Sequence, residues 1–297
     1  MTEQSTASAF FTLANLRKDV NRPEIFAITS GKGGVGKTNI SVNLALLLKR
    51  LKKNVLLVDA DIHLGNVDLM LGMRPSGNLA DVISGQKTLQ DIVMSGPTGI
   101  DILPASSAVL DMIDAEDMVL KKLEDAFLSF DHNYDMVIVD TGAGIGRNVT
   151  SFSLGADKVI VVVTPDPASI ADAYGVIKIL LQKAPTLPIM LVTNMVGSED
   201  EGENLYKKMD LMVQRFLNSK IVFGGAILRD ENVQDAVRRQ APVVIEYPNS
   251  RPSNSLKLMT RNLLKLPSKD ASERVSLFQG VRENRNTMVG NSHDQVS

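Results

Sequence analysis

The sequence predicts a doubly wound α/β domain, a mainly parallel sheet with helices on both faces. Short runs rich in Val, Ile and Leu alternate along it with longer amphipathic stretches, the order expected of strand–helix–strand units. Several of the short runs are apolar at successive positions. That suits strands buried on both faces. A glycine-rich loop follows the first run and opens the first amphipathic stretch.

Residues 1–22 are polar apart from Phe10, Phe11, Leu13 and Leu16, and are expected to form an N-terminal segment outside the domain. Strands are expected at 24–29 (EIFAIT), 54–59 (NVLLVD), 99–105 (GIDILPA), 135–140 (DMVIVD), 158–164 (KVIVVVT), 188–194 (PIMLVTN) and 220–227 (KIVFGGAI). In 38–51, Ile40, Leu44, Leu47, Leu48 and Leu51 recur at helical spacing and would face the sheet. Residues 116–130, 167–183, 203–218 and 253–265 have the same character, so one domain is expected over 23–266. Pro267 ends the last helix. Residues 267–297 are a polar tail, in which 272–285 (SERVSLFQGVRENR) would fold as a short amphipathic helix. Val275, Phe278 and Val281 share one face of it, and Arg274, Arg282 and Arg285 supply cations.

Composition removes several function classes. The net charge of −2 argues against a nucleic-acid footprint over the whole surface. The absence of cysteine excludes disulfides, thiolate zinc sites and cysteine-ligated iron–sulfur clusters. His63, His132 and His293 have no metal-ligand spacing. The N-terminus lacks the basic start and apolar run of a secretory signal. No apolar run approaches the roughly 20 residues of a membrane span. A cytosolic protein is expected, with any membrane contact peripheral.

The chemistry is written in Gly31-Lys32-Gly33-Gly34-Val35-Gly36-Lys37-Thr38, which fits G-x-x-x-x-G-K-[ST] between a strand and a helix. Glycines let successive backbone N–H groups approach phosphate oxygens, and the helix adds the positive end of its dipole. Lys37 is expected to reach the β- and γ-phosphates. The Thr38 hydroxyl is a ligand for Mg²⁺, a hard cation that prefers oxygen. With Asn39 these residues form the expected nucleotide-binding set. Two acidic positions belong with them. Asp140 ends the strand MVIVD before TGAGIG, where a carboxylate can hold Mg²⁺ through water. In VDADIHLGNVD, Asp59 falls near the metal and Asp61 is better placed to orient an attacking water. An aspartate at a strand end also commonly serves a turn or a helix cap.

Lys32 is a second lysine, at the second position of the loop. KGGxGK[ST] resembles the deviant Walker A motif of the MinD/ParA ATPases. The resemblance runs over 23–266 and includes NISVNLALLL (39–48), VLLVDADIHLGNVDLMLG (55–72), YDMVIVDTGAGIGRNV (134–149), VVVTPDPASIADAYGVIK (161–178), LVTNM (191–195) and AILRDENVQDAVRRQAPVV (226–244). It is strongest to the MinD branch and, within it, to the regulators of flagellar number and placement (FlhG, also called FleN). The resemblance implies ATP and Mg²⁺ as ligands and an ATP-bound homodimer. It implies that Lys32 reaches the partner's nucleotide, making hydrolysis depend on assembly. It places Asn194 at the adenine, unless that residue is a strand-end cap, and Arg229 and Asp230 along the base pocket.

Two features depart from the pattern. That subgroup often begins with a D-Q-A-x-x-L-R segment that activates a signal-recognition-type flagellar GTPase. Here TLANLR (12–17) keeps the Leu and Arg without the Asp-Gln pair. It reads as a degenerate activator or as a plain amphipathic start. The family's membrane helix lies near the C-terminus, where 272–285 is the candidate for an anionic lipid surface or else belongs to an unstructured tail. A second class, the DNA-partitioning ATPases, needs a basic face. Arg238, Arg239, Arg251, Lys257 and Arg261 are the cluster to examine. A third class, electron-delivering relatives, needs bridging cysteines that the chain lacks.

Overall fold

The fold is described from a computed structural model, which covers residues 23–61, 65–104, 126 and 134–268. The expected helix at 116–130, the segments 1–22 and 272–285, and all three histidines lie outside the described residues, residue 126 excepted.

Eight strands form one sheet: β1 (Glu24–Ser30), β2 (Val55–Ala60), β3 (Met94–Ser95), β4 (Asp101–Leu103), β5 (Met136–Ala143), β6 (Lys158–Val163), β7 (Ile189–Val196) and β8 (Val222–Leu228). Their spatial order is β3-β4-β2-β5-β1-β6-β7-β8. All neighbours are parallel except β3 against β4. Both faces are buried, as the continuous apolar runs require. Ile25 and Ala27 enter one apolar layer with Val159, Val161 and Val163, whereas Phe26 and Ile28 enter the other with Ile160 and Val162.

The first layer packs under α5 (Arg147–Gly155), α6 (Pro167–Lys183) and α7 (Glu199–Leu217), and also meets the short α3 (Leu79–Ile83) and α4 (Leu89–Ile92). The second packs under α1 (Lys37–Arg50), α2 (Val67–Met70), α8 (Glu231–Arg238), α9 (Val243–Glu246) and α10 (Arg251–Lys265). The sheet is therefore wound on both sides, as expected. The chain leaves central β1 for β2 on one side and later builds β6, β7 and β8 on the other. This puts the carboxyl end of β1 at the switch point where such sheets bind ligands.

Several boundaries differ from the sequence reading. The strand expected at 99–105 shortens to Asp101–Leu103, because Pro97–Gly99 forms a 3₁₀ turn. The helix expected from 203 starts at Glu199, where the Ser198 hydroxyl accepts the Glu201 N–H and three acids complement the helix dipole. Likewise α10 starts at Arg251, capped by Ser250. The helix α5 and strand β3 were not anticipated. At the far end of the sheet, Glu24 accepts from Ser268 and pairs with the buried Lys158 at 2.9 Å. The described domain thus begins and ends at one place, away from the phosphate loop.

Candidate nucleotide site

The loop between β1 and α1 has two tight positions and an open middle. A Cβ on Gly31 would lie 2.2 Å from the Asp172 backbone in α6, and one on Gly36 would lie 2.5 Å from Asn194 Nδ2. Gly36 also has φ +92, in the left-handed region that glycine alone adopts without strain. By contrast, a Cβ on Gly33 or Gly34 would meet nothing within 4 Å. Among the described residues no protein acceptor takes the N–H groups of Gly33, Gly34, Val35 or Gly36. A row of unpaired donors around open space is the geometry that anions occupy.

Lys37 opens α1 and is almost fully buried. Its Nζ donates to Ser30 Oγ at 2.9 Å, and Ser30 Oγ donates to the Lys32 carbonyl at 2.7 Å. Burial pulls the Lys37 pKa down, while the charges of Asp140 and Asp61 oppose that. Lys32 lies on the rim instead. Its Nζ sits 3.1 Å from Asp166 Oδ1, with side-chain exposures of 45 % and 43 % for the two partners.

The acids converge opposite the loop. Asp59 and Asp140 are register partners at the ends of adjacent β2 and β5. Asp140 accepts from the Ser41 hydroxyl at 2.8 Å and from the Thr38 side chain. Asp59 accepts the N–H groups of Asp61 (3.1 Å), Asn66 (2.9 Å) and Val67 (3.1 Å). Burial, then repulsion from Asp140, pushes Asp59 up to about 7. Burial pushes Asp140 to about 6, although the two hydroxyls and Lys37 pull the other way. Asp61 lies next to the loop after β5, with its Oδ1 3.6 Å from where a Gly142 Cβ would stand. That loop is tied to the phosphate loop by the Gly144 N–H on the Ser30 carbonyl at 2.8 Å.

Beside the loop is a cleft of about 200 Å³, lined by Lys32, Gly33, Gly34, Val35, Thr164, Pro165, Asp166, Met195 and Arg229. Arg229 therefore stands where the sequence reading put a base pocket. Asp230 instead caps α8, its Oδ1 accepting the Asn232 N–H at 2.9 Å. Asn194 donates from Nδ2 to the Val35 carbonyl at 2.7 Å, so its amide braces the phosphate loop. Asn39 accepts from Asn43 Nδ2 at 3.1 Å, and Asn43 Oδ1 accepts the Val244 N–H at 3.0 Å. The Asn39 side chain is thereby engaged inward, which leaves its backbone as the part directed to a ligand.

Four functional residues escaped sequence reasoning: Ser30, Ser41, Asp166 and Met195. Ser41 follows Thr38 by three residues on one helix face, a spacing that could have revealed it. Met195 sits at a bulge in β7 with φ +58, where the pairing with β8 shifts register. No sequence signal marks that conformation. The suggested basic cluster is partly neutralised. Arg239 pairs with Asp235 at 2.6 Å and Glu246 at 3.2 Å, Arg238 lies 3.9 Å from Asp235, and Lys257 donates to the Pro248 carbonyl.

The sequence profile described as "CobQ/CobB/MinD/ParA nucleotide binding domain" matches residues 26–243. The chain belongs to the MinD/ParA ATPase family. Within this family it is 42 % identical over 240 residues to the antiactivator FleN of Pseudomonas aeruginosa, covering 81 % of this chain and 86 % of FleN. It is 35 % identical to the flagellum site-determining protein YlxH of Helicobacter pylori, covering 78 % and 79 %. The MinD structure from Pyrococcus horikoshii, complexed with Mg-ADP, superposes with a TM-score of 0.66 at 25 % identity, covering 82 % and 96 %. The MinD/ParA match spans β1 to the start of α9, so the loop, the acids and Asn194 all lie inside it.

Proposed function

We propose that the chain is an ATP-dependent switch that binds ATP with Mg²⁺, pairs with a second copy while the triphosphate is bound, and hydrolyses it to ADP and phosphate. The carrying observation is the contrast between the two lysines of one loop. Lys37 is buried beneath its own loop, suited to phosphates held there. Lys32 is half exposed on the rim, suited to phosphates presented by another molecule. Phosphoryl transfer responds mainly to positioned charge, so a cation delivered on pairing makes turnover conditional on assembly.

The donor set fits Mg²⁺. Among the described residues no group of three or more His, Cys, Asp or Glu side chains could hold a metal unaided. A hydroxyl and two carboxylates, completed by nucleotide oxygens and water, match the habits of this ion. Thr38, Asp59 and Asp140 would hold it, and it would neutralise phosphate oxygens. Lys37 binds the terminal phosphates, Asp61 orients the attacking water, and Lys32 stabilises charge across the interface.

The flagellar assignment, control of flagellar number and placement, is supported by the identities to FleN and YlxH. The segments 1–22 and 267–297 are assigned the external contacts, to flagellar proteins such as a signal-recognition-type GTPase and to an anionic membrane surface. Among the described residues no helix is long and apolar enough to cross a membrane.

Sedimentation with ADP and with a non-hydrolysable ATP analogue tests the switch. The wild type should be a monomer with ADP and a dimer with the analogue. Lys32→Ala should bind both nucleotides within a few-fold of wild type yet stay monomeric. Unchanged dimer formation by that variant would reject the cross-interface role.

A pH dependence follows from the acids. Asp59 (about 7) and Asp140 (about 6) are raised, so in the metal-free site they hold protons below those values and Mg²⁺ must displace them. The Mg²⁺-dependent gain in nucleotide affinity should therefore grow as pH rises from about 6 to 7, by up to about tenfold per unit for each proton displaced. It should level off above about 7.5. Calorimetry in buffers of different ionisation heat measures the proton release, and a gain that is flat across this range would contradict the assignment.

A further inference from the structure

We propose that Asp166 is a positioning residue that keeps Lys32 on its own subunit and so sets the concentration at which two copies pair. The inference deepens the switch described above and rests on its reading of Lys32.

The Asp166 carboxylate is held rigidly. Its Oδ2 accepts the Thr164 hydroxyl at 2.6 Å, and its Oδ1 accepts the Ser169 N–H at 3.0 Å as the cap of α6. Lys32 Nζ is the third donor, at 3.1 Å. These donors hold the Asp166 pKa well below the ordinary carboxylate range, so it stays charged across the working pH range. The backbone of Lys32 is pinned as well, through its carbonyl on the Ser30 hydroxyl. Only the flexible four-carbon stem of Lys32 is free to swing. The side chain therefore has two destinations: the fixed carboxylate of its own subunit, or the phosphates of a second copy.

Charge decides between them. One carboxylate carries a single negative charge, and a triphosphate with its metal presents several anionic oxygens. A diphosphate lacks the terminal group that a rim cation would meet, which leaves Asp166 the better partner. Because both members of the pair are half exposed, the hold is weak, as surface ion pairs are. That weakness suits a threshold. The pair opposes assembly modestly and yields when both copies carry triphosphate. Two such pairs must open for each dimer formed, so the effect on pairing is doubled.

Asp166→Asn removes the charge but keeps an oxygen for the Ser169 N–H, and asparagine caps helices as well as aspartate does. With a saturating non-hydrolysable ATP analogue, sedimentation of the full chain should show Asp166→Asn dimerising at about 3- to 10-fold lower concentration than wild type. Its thermal midpoint, measured alongside, reports whether α6 stays capped. An unchanged or weaker dimer in the folded variant would overturn the proposal. Removing a negative charge could also relieve repulsion from the partner's phosphates, and the double variant separates the two causes. Lys32→Ala/Asp166→Asn should remain as monomeric as Lys32→Ala, because no lysine is left to release. If the double variant regains dimerisation, Asp166 acts by repulsion and the positioning role is wrong. Should the wild type itself stay monomeric with the analogue, the switch reading fails first and this inference fails with it. A wild-type dimer that Asp166→Asn leaves unaltered removes this inference alone.

Discussion

Replacing Lys37 with alanine is expected to weaken nucleotide binding by about 100-fold or more, for ADP and for ATP analogues alike. The argument is one of environment. Lys37 is buried beside two carboxylates, and its ammonium group is aimed at the Ser30 hydroxyl, which anchors the loop through the Lys32 carbonyl. A buried cation is retained where it meets an anion, since leaving it unpaired is costly. Charge-assisted hydrogen bonds are worth about 1.5–3 kcal/mol each, and the two terminal phosphates offer more than one. Deleting the amine leaves phosphates facing Asp140 and Asp61 without the cation between them. The fold should survive, because Asp140 keeps the Ser41 and Thr38 hydroxyls. Calorimetric titration, with a melting curve as control, checks this. Wild-type affinity in a folded variant would put the phosphates somewhere other than this loop.

The sheet was legible because its strands are buried on both faces. β1, β2, β5, β6, β7 and β8 all show as runs of β-branched and aliphatic residues, each within two or three residues of the observed bounds. The helices that cross those faces were legible from their apolar periodicity, and α6 emerges at the span its spacing predicts. Starts of helices were less visible. Residues 199–202 and 251–252 carry no apolar periodicity, and only the serine caps before them mark the true beginning. The helix α5 was hidden because its sequence, RNVTSFSLG, mixes polar and β-branched residues with no clean stripe. β3 is two residues long and defined only by its partner β4.

The candidate site divides in the same way. The phosphate loop is contiguous in sequence, so its chemistry can be read directly. Asp59 and Asp140 were found because each ends an apolar strand, and their adjacency follows from β2 and β5 being neighbours. What the sequence could not give is tertiary choice among hydrogen-bond partners. Asn194 was placed at the base, whereas its amide braces Val35. Asp230 was placed in the pocket wall, whereas it caps α8. Asparagine and aspartate satisfy such roles equally well, and only the fold shows which backbone group lies nearest. Asp166 is the converse case, a plain helix cap by sequence that the fold brings against Lys32, 134 residues away.

Asp61→Ala should separate binding from turnover. Its backbone N–H is locked to the Asp59 carboxylate at 3.1 Å, so the residue is fixed at the very end of β2 whatever its side chain does. The carboxylate stands beside Gly142, in the loop that the Gly144 N–H ties to Ser30. That position is on the far side of the metal-holding pair from the phosphate loop's own helix, where a water lined up with the terminal phosphate would need an acceptor. Positioned general bases contribute about 10²- to 10⁴-fold, so ATP turnover should fall at least about 100-fold while affinity for the non-hydrolysable analogue changes only a few-fold. Affinity should, if anything, rise, because a negative charge near the phosphates is removed. A chain that holds ATP without cleaving it should also stay paired longer, so the Asp61→Ala dimer formed with ATP should match the one formed with the analogue. Phosphate release and sedimentation on the same sample measure both halves. Wild-type turnover in this variant would move the water-positioning role to another group. Loss of nucleotide binding would instead mean that Asp61 belongs with Asp59 and Asp140 in holding the metal, and the three aspartates would then share one task.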